Sequence, residues 1–398
     1  MNLLSNKMNC IVLFSTTNYL DDILPLIFEL KKANKISSIV FITTKKKWRN
    51  YIIQNVVLYD GIKSVGGKLT CLNKYTNRYL NILYNIFVLR QLFYRKVLSV
   101  ETKAGIAKST LLSTALRCNR KYWKGQRILS LIKNIPFKSS VNINKYYWSI
   151  LGNPGSKEVT IEGYDAVLLT EPLEQYEQSR DVELITDTRI IQVGYTRALS
   201  EWKQFIDKNI NDYFKWDIST PYFFIPLDLV SEWYRGERCA SGDVKLEECL
   251  AVLKEYNRDI LTVFKPHHKT DLKKVQEIID SVVYENYVIS YLHPLILIKN
   301  AKFTLTYSPS SLLVEAHLNG CTTVEYADYD SRYLEHSRGK PIHQDCVDYF
   351  VCRDKQQLRQ VVKKLVYDGN DVKIKPKGLG EGIPILNSKE IKCRFSWL

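Results

Sequence analysis

The feature that most constrains this chain is a strand-and-loop unit that occurs twice in its C-terminal half. The run Ile260-Leu261-Thr262-Val263-Phe264 ends in Lys265-Pro266-His267-His268-Lys269, and the run Phe303-Thr304-Leu305-Thr306-Tyr307 ends in Ser308-Pro309-Ser310-Ser311. Short runs of apolar, β-branched and aromatic residues read as strands covered on both faces. Open parallel sheets bind ligands outside the carboxyl ends of their strands, often against the start of the next helix. A histidine–lysine loop and a serine loop at two such ends predict convergence on one anionic ligand, such as a nucleotide phosphate.

The same alternation of strand and helix runs along most of the chain. Cys10–Ser15 predicts a first strand. Asp21–Asn34 predicts an amphipathic helix with Leu24, Ile27, Phe28 and Leu30 on its apolar side, and Ile36–Thr43 a second strand. Tyr51–Leu58 reads as a third short apolar element, and the stretch from Thr76 to Arg127 as largely helical and basic. Ala166–Thr170 and Ile190–Val193 predict further strands. No GxGxxG follows the first strand, which argues against a dinucleotide fingerprint.

Beyond a crossover at 195–222, where Trp202, Trp216 and Pro221 interrupt the pattern, the alternation resumes. Strands are expected at Tyr222–Ile225, Ile260–Phe264, Phe303–Tyr307 and Thr322–Tyr326. Helices are expected at Lys245–Asn257, Asp271–Val282, Ser311–Leu318 and Gln356–Tyr367. The last stretch, from Lys373, is rich in Gly, Pro and Lys and reads as loosely ordered. With 398 residues, the pattern gives an α/β chain with an N-terminal Rossmann-like domain over 1–200, carrying a basic helical insertion at about 76–150. A C-terminal Rossmann-like domain over 201–372 and a tail over 373–398 follow. Two such halves with a central crossover suggest the GT-B architecture of nucleotide-sugar transferases, two Rossmann-like domains facing across a cleft with the nucleotide held mainly by the second.

Charge and cysteine usage narrow the function classes. The formal net charge of +15 is uneven: between Arg90 and Lys145 stand thirteen Lys and Arg against one acid, Glu101. Arg117, Arg120, Lys121, Lys124 and Arg127 form its centre, read as a patch for an anionic glycan or glycolipid acceptor, or for peripheral contact with an anionic membrane. The segment lacks a nucleic-acid-binding motif, so no nucleic-acid partner is expected. The nine cysteines are scattered without CxxC spacing, which argues against zinc and for reduced thiols. The apolar run after Met8 is too short for a signal peptide, and no segment has the length of a membrane span. A cytoplasmic protein is expected, or one attached to the inner face of a bacterial membrane.

In the first loop, His267 can donate to a phosphate oxygen while Lys265 adds positive charge and Pro266 stiffens the turn. A basic solvent loop capping the Asp271 helix is the plainer alternative. In the second, Ser308, Ser310 and Ser311 are first of all helix-capping residues, but one serine can cap while its neighbour binds ligand. Gly320 then closes a compact strand–serine loop–helix–Gly–strand unit.

Over about residues 258–352 these two loops resemble the HP and Ser-Ser motifs of bacterial CMP-sialic acid transferases, capsule polysialyltransferases among them. The layout is also similar to CDP-glycerol glycerophosphotransferases of teichoic-acid synthesis and to capsule and lipopolysaccharide Kdo transferases. In the present chain, the proline that follows the family's histidine is replaced by His268. The literal dipeptide His293-Pro294 lies too close to Ser310 for the family spacing, and His293 is expected to begin a helix at Pro294–Lys299 with its ring in or beside the cleft.

The resemblance implies transfer of an acidic sugar (sialic acid, another nonulosonic acid or Kdo) from a CMP-activated donor to a glycan in capsule or lipopolysaccharide synthesis. It implies Lys265, His267, Ser308, Ser310 and Ser311 at the nucleotide phosphate, no cofactor and no metal. Asp328-Tyr329-Asp330, beyond the phosphate loops, is expected to have a structural or ribose-edge role rather than to bind metal. The alternatives are a CDP-polyol phosphotransferase, a UDP-sugar epimerase of GT-B shape, and a non-catalytic scaffold.

A transferase of this kind needs a carboxylate to deprotonate the acceptor hydroxyl, or to act as nucleophile if configuration is retained. The families' acidic-acidic-Gly motif has no full copy here. Tyr59-Asp60-Gly61 comes nearest, so Asp60 is a candidate, although Asp-Gly is equally a simple turn. Glu171, at the end of the Leu168-Leu169-Thr170 strand, is the second candidate and Asp187 the third. Tyr195 and Arg197 lie near the crossover, and Trp202 there is expected to pack in a core.

Overall fold

The computed structural model describes residues 8–14, 17–43, 46–71, 80, 84, 96–100, 140–144, 158–160, 166–169, 172–174, 177, 183–185, 189–214, 220–227, 242–267, 270–308, 310–327, 341, 344–367 and 386–395. The chain divides into two compact units, Met1–Asp207 with Gly382–Leu398, and Lys208–Glu381.

The first unit contains β1 (Met8–Phe14), α1 (Thr17–Lys32), β2 (Ile36–Thr43), α2 (Lys46–Gln54), α3 (Val56–Ser64), β3 (Gly67–Cys71), β4 (Lys96–Val100), β5 (Ser140–Asn144), β6 (Glu158–Thr160), β7 (Ala166–Leu169), β8 (Glu183–Ile185) and β9 (Arg189–Gln192). Helix α4 (Ser200–Tyr213) follows and runs past the unit boundary. Seven strands form a parallel sheet in the order β3-β2-β1-β4-β5-β7-β9, while β6 and β8 pair separately. Helix α1 buries Leu20, Ile23, Leu24, Ile27 and Leu30 completely. Each such side chain contributes about 1.5–3 kcal/mol of transfer free energy, which outweighs the cost of Pro25 within the helix.

Two stretches of the segment expected to be a basic helical insertion, Lys96–Val100 and Ser140–Asn144, are strands. Lys96–Val100 is a central strand that pairs with Cys10–Phe14 of β1 and also with β5. Val97, Leu98 and Val100 are of the apolar and β-branched types enriched in strands. Tyr51–Leu58, read as a single short apolar element, falls on two helices, α2 and α3. Asn55 interrupts that run, and its side chain accepts the Leu58 N–H at 3.3 Å, capping α3. Consequently Asp60-Gly61 is not a turn but mid-helix. Gly61 is required there because a Cβ would stand 2.9 Å from Leu24 Cδ2 and 3.0 Å from the Trp202 ring.

The stretch expected to hold the crossover, 195–222, contains α4, which runs past the boundary between the two units. Trp202 of α4 is fully buried, edge-on to Phe28 and stacked on Phe205. Arg197 just before it pairs with Asp22 at 3.0 Å. The start of α4 is held by the buried Glu29, whose Oε1 accepts the Glu201 N–H at 2.9 Å and the Ser200 hydroxyl at 3.1 Å.

The second unit contains β10 (Tyr222–Leu227), α5 (Gly242–Leu253), β11 (Leu261–Pro266), α6 (Leu272–Val282), β12 (Tyr287–Ile289), α7 (Pro294–Lys299), β13 (Ala301–Thr306), α8 (Leu312–Leu318), β14 (Thr322–Ala327), β15 (Tyr349–Cys352) and α9 (Lys355–Tyr367). Its parallel sheet has the order β12-β11-β10-β13-β14-β15. In chain order this is 3-2-1-4-5-6, the doubly wound arrangement whose direction reverses between the first and fourth strands. Both faces are covered. Phe223, Ile225, Phe303, Leu305, Val324 and Tyr326 pack with residues of α5, α6 and α9, while Tyr222, Phe224 and Val263 pack with Leu297, Ile298 and Ala316. This is why the strands read as continuous apolar runs rather than alternating ones.

The tail expected over 373–398 includes a helix, α10 (Ser388–Arg394), opened by a capping box between Asn387 and Glu390. It returns to the first unit, where Ser388 donates to Glu29 and Arg394 to the Gln192 carbonyl. Composition signalled disorder, but a cap and two long-range hydrogen bonds order this stretch. Among the described residues Cys249, Cys321, Cys346 and Cys393 are free thiols, and no helix is long and apolar enough to cross a membrane.

Candidate functional site

The topology of the second unit brings the two sequence-predicted loops to the same end of one sheet. Strand β10 lies between β11, which carries the histidine loop, and β13, which carries the serine loop. The loops are therefore two strand spacings apart, roughly 10 Å, on either side of the carboxyl end of β10. The reversal of strand order lies between β10 and β13, where ligands of open α/β sheets bind.

The histidine loop is tied to β10 by its own backbone. The His267 N–H is shared between the Leu227 carbonyl, 3.2 Å away, and Thr270 Oγ1 at 2.9 Å. Thr270 returns its N–H to the His267 carbonyl at 2.9 Å, and its hydroxyl reaches Leu227 O at 3.4 Å. Leu227 is the last residue of β10, opposite Pro266 in register. Proline has no N–H to continue the ladder, so the chain turns there and His267 takes over the bond to β10. Lys265, His267 and Thr270 are half-buried. Asp271 then caps α6 by accepting the Lys273 N–H at 3.0 Å. Thr270 is a residue that the sequence reading missed; its signal is a hydroxyl three positions after the histidine, ahead of a helix cap.

In the serine loop the two roles divide. Ser310 Oγ accepts the Leu312 N–H at 3.3 Å. Ser311, at the N-cap position with φ −62° and ψ −14°, makes no side-chain capping bond. Its hydroxyl remains for other partners, and Ser308, Ser310 and Ser311 are all half-buried.

Beneath this loop lies a polar pair the sequence reading did not weigh. Thr306, the last residue of β13, is the register partner of Glu325 on β14. Both are buried, and among the described residues neither Thr306 Oγ1 nor either Glu325 carboxyl oxygen has a hydrogen-bond partner. Burial pushes the Glu325 carboxyl up to about 8. The signal was an acid inside the apolar run Thr322–Tyr326. On the opposite face, Glu248 accepts from Lys245 at 2.7 Å and from the Tyr326 hydroxyl at 2.6 Å. Partial burial opposes its ionisation, but those two donors prevail and hold it below the usual carboxylate range.

Other candidates fall elsewhere. His293 does begin α7, but its ring is buried and Nδ1 accepts the Leu295 N–H at 3.2 Å, so the expectation of a ring in or beside a cleft is corrected. Asp60 is a half-buried residue of α3 in the first unit, paired with Lys63 at 3.2 Å. Glu171, Asp187, His268, Asp328-Tyr329-Asp330 and the basic positions Arg117, Arg120, Lys121, Lys124 and Arg127 lie outside the described residues.

No family model and no curated protein matches the sequence. Solved structures do match the fold. The UDP-GlcNAc 2-epimerase of Neisseria meningitidis bound to UDP-GlcNAc is 15% identical, with a TM-score of 0.55 over 98% of this chain and 100% of that one. S. aureus MnaA with UDP is 12% identical, with a TM-score of 0.54 over 98% of both chains. Anabaena HepE in complex with UDP-glucose is 10% identical, with a TM-score of 0.50 over 98% of this chain and 100% of that one. The chain thus has the GT-B fold of nucleotide-sugar enzymes. These structures overturn the expectation of a CMP-activated donor: the three hold UDP-GlcNAc, UDP and UDP-glucose.

Proposed function

We propose that this chain is an enzyme acting on a UDP-activated sugar, with epimerisation of the sugar as its reaction. The observation that carries the reading is the fold likeness, end to end, to an epimerase solved with UDP-GlcNAc. The site chemistry supports it. A half-buried histidine and lysine on one side of β10, and serine hydroxyls on the other, can reach a diphosphate lying over the end of β10 from both sides. Lys265 and His267 supply donors and charge to one end of that group, and Ser311 a hydroxyl to the other.

Transfer of the sugar to an acceptor is the second reading, favoured by the same diphosphate-sized site, because a departing UDP needs the same donors as its charge develops. Incubation with UDP-GlcNAc, followed by proton NMR of the anomeric and C2 signals, tests both. Conversion to the C2 epimer without any acceptor supports epimerisation. Release of UDP only when an acceptor glycan is added supports transfer, and an unchanged spectrum in both cases, with no UDP binding by calorimetry, sinks both readings.

A further inference from the structure

Thr306 and Glu325 stand side by side on neighbouring parallel strands, two residues before the serine loop. Parallel register partners point to the same face of the sheet, here the face covered by α8. Three buried polar atoms on this pair lack partners among the described residues. Buried polar groups are nearly always satisfied, and an unsatisfied set in one place calls for a specific reason. Ordinary core packing provides none, since a leucine at position 325 would fill the space without a desolvated carboxyl.

We propose that Glu325 is a positioning residue for the nucleotide loop: its buried carboxyl group, acting beside Thr306, keeps the Ser308–Ser311 loop receptive to the diphosphate of UDP only while it carries its proton. This rests on the UDP-sugar reading above. The separation follows from the sheet. One strand spacing across and two residues along place Glu325 roughly 8 Å from Ser308. A carboxylate at that range, in a protein interior, repels each unit of ligand charge enough to weaken binding by about tenfold or more. The neutral acid does not, and it can donate a hydrogen bond that a carboxylate cannot.

Other titratable groups face Glu325 from the elements packed around it, and the Glu325→Gln comparison separates them from it. The other titratable groups on elements packed against the face are Glu315 and His317 of α8, His293 and Lys299 of α7, and Asp345 at the 3-10 turn Gln344–Cys346. Asp348 is engaged by the N–H and hydroxyl of Thr323 at 2.8 and 2.9 Å. Burial pushes the thiols of Cys321 and Cys346 up to about 12, well above the range in question. Cys352 closes the same face on β15, opposite Ala327.

The test is calorimetric titration of the full chain with UDP between about pH 7 and about pH 9, where the phosphate is largely ionised and the uracil mostly keeps its N3 proton, on wild type and Glu325→Gln. The glutamine keeps the neutral shape. Wild type should lose about tenfold in affinity across that range, and Glu325→Gln should hold the neutral-pH affinity throughout. Equal pH dependence in the two proteins, with UDP bound at neutral pH, overturns the coupling and leaves the UDP reading intact. A wild type that binds no UDP at any pH overturns both. Infrared difference spectra supply a ligand-independent readout. A protonated-carboxyl carbonyl band at neutral pH, lost in Glu325→Gln, supports the assignment, and its absence from wild type overturns it.

Discussion

The backbone N–H of His267 is bonded to the carbonyl of Leu227 at 3.2 Å and, in the same fork, to Thr270 Oγ1 at 2.9 Å. This fork ties the histidine loop to the carboxyl end of β10. The loop's position and its chemistry are therefore separable by mutation.

Thr270→Val removes one acceptor of the fork and keeps the shape. Loss of a part-buried hydrogen bond costs about 1 kcal/mol of stability, and a misplaced loop should weaken UDP binding several-fold. His267→Ala should leave the denaturation midpoint nearly unchanged and weaken UDP binding at least as much, because the backbone bonds persist. Parallel urea melts and UDP titrations on both variants check this. A His267→Ala protein with wild-type UDP affinity would remove the histidine from the site.

Glu325 also makes a prediction for the fold without ligand. Its carboxyl is raised from 4.5 to about 8 in the folded chain. At pH values below the ordinary carboxylate range both states are protonated and burial carries no ionisation penalty. As pH rises, the unfolded chain loses this proton first, so stability falls by about 1.4 kcal/mol per pH unit until the folded group ionises. Glu325→Gln abolishes that slope. The variant should gain on wild type by up to about 4 kcal/mol at pH 8, and by little near pH 5. Chemical denaturation of both proteins at the two pH values measures it, and a constant difference would show that the carboxyl ionises normally.

The second unit was legible in the sequence to within a residue or two at most of its strands, because both faces of each strand are covered and hydrophobicity alone marks them. His293 as the start of α7 was legible too, from His-Pro before an apolar turn. The first unit was harder to read. Lys96–Val100 is a central strand set in a strongly basic stretch, where local charge masks the pattern and only pairing with β1 reveals it. Gly61 looked like a turn signal because sequence cannot show Leu24 and Trp202 closing on it. At the site, strand ends and loop residues were visible in advance. The fork at Thr270 and the pairing of Thr306 with Glu325 were not, since both depend on register between strands far apart in the chain.

Gly67 opens β3 at the edge of the first sheet. A Cβ there would fall 2.5 Å from Phe41 Cε2 and 2.9 Å from the Ile62 carbonyl oxygen. Phe41 is fully buried and Ile62 O is backbone, so neither gives way cheaply. Gly67→Ala should destabilise the protein by about 1–3 kcal/mol through overpacking. A thermal midpoint equal to wild type would show that the β2–β3 edge adjusts freely.

Val283 ends α6 in the left-handed region, with φ 55° and ψ 59°, and it is 59% exposed. A β-branched residue there meets its own carbonyl, at a cost of roughly 1–2 kcal/mol, whereas glycine adopts the conformation without strain. The surrounding bonds are already those of a helix stop: Val283 N–H to Asp280 O at 3.0 Å and Tyr284 N–H to Ile279 O at 3.1 Å. Little apolar contact is lost by removing so exposed a side chain, and glycine's extra freedom in the unfolded chain takes back part of the gain. Val283→Gly should therefore raise stability by about 0.5–1 kcal/mol, with UDP affinity unchanged because the position lies at the far end of α6 from the His267 loop. A urea midpoint that falls instead would mean the valine side chain packs in solution against a surface that its exposure here does not suggest.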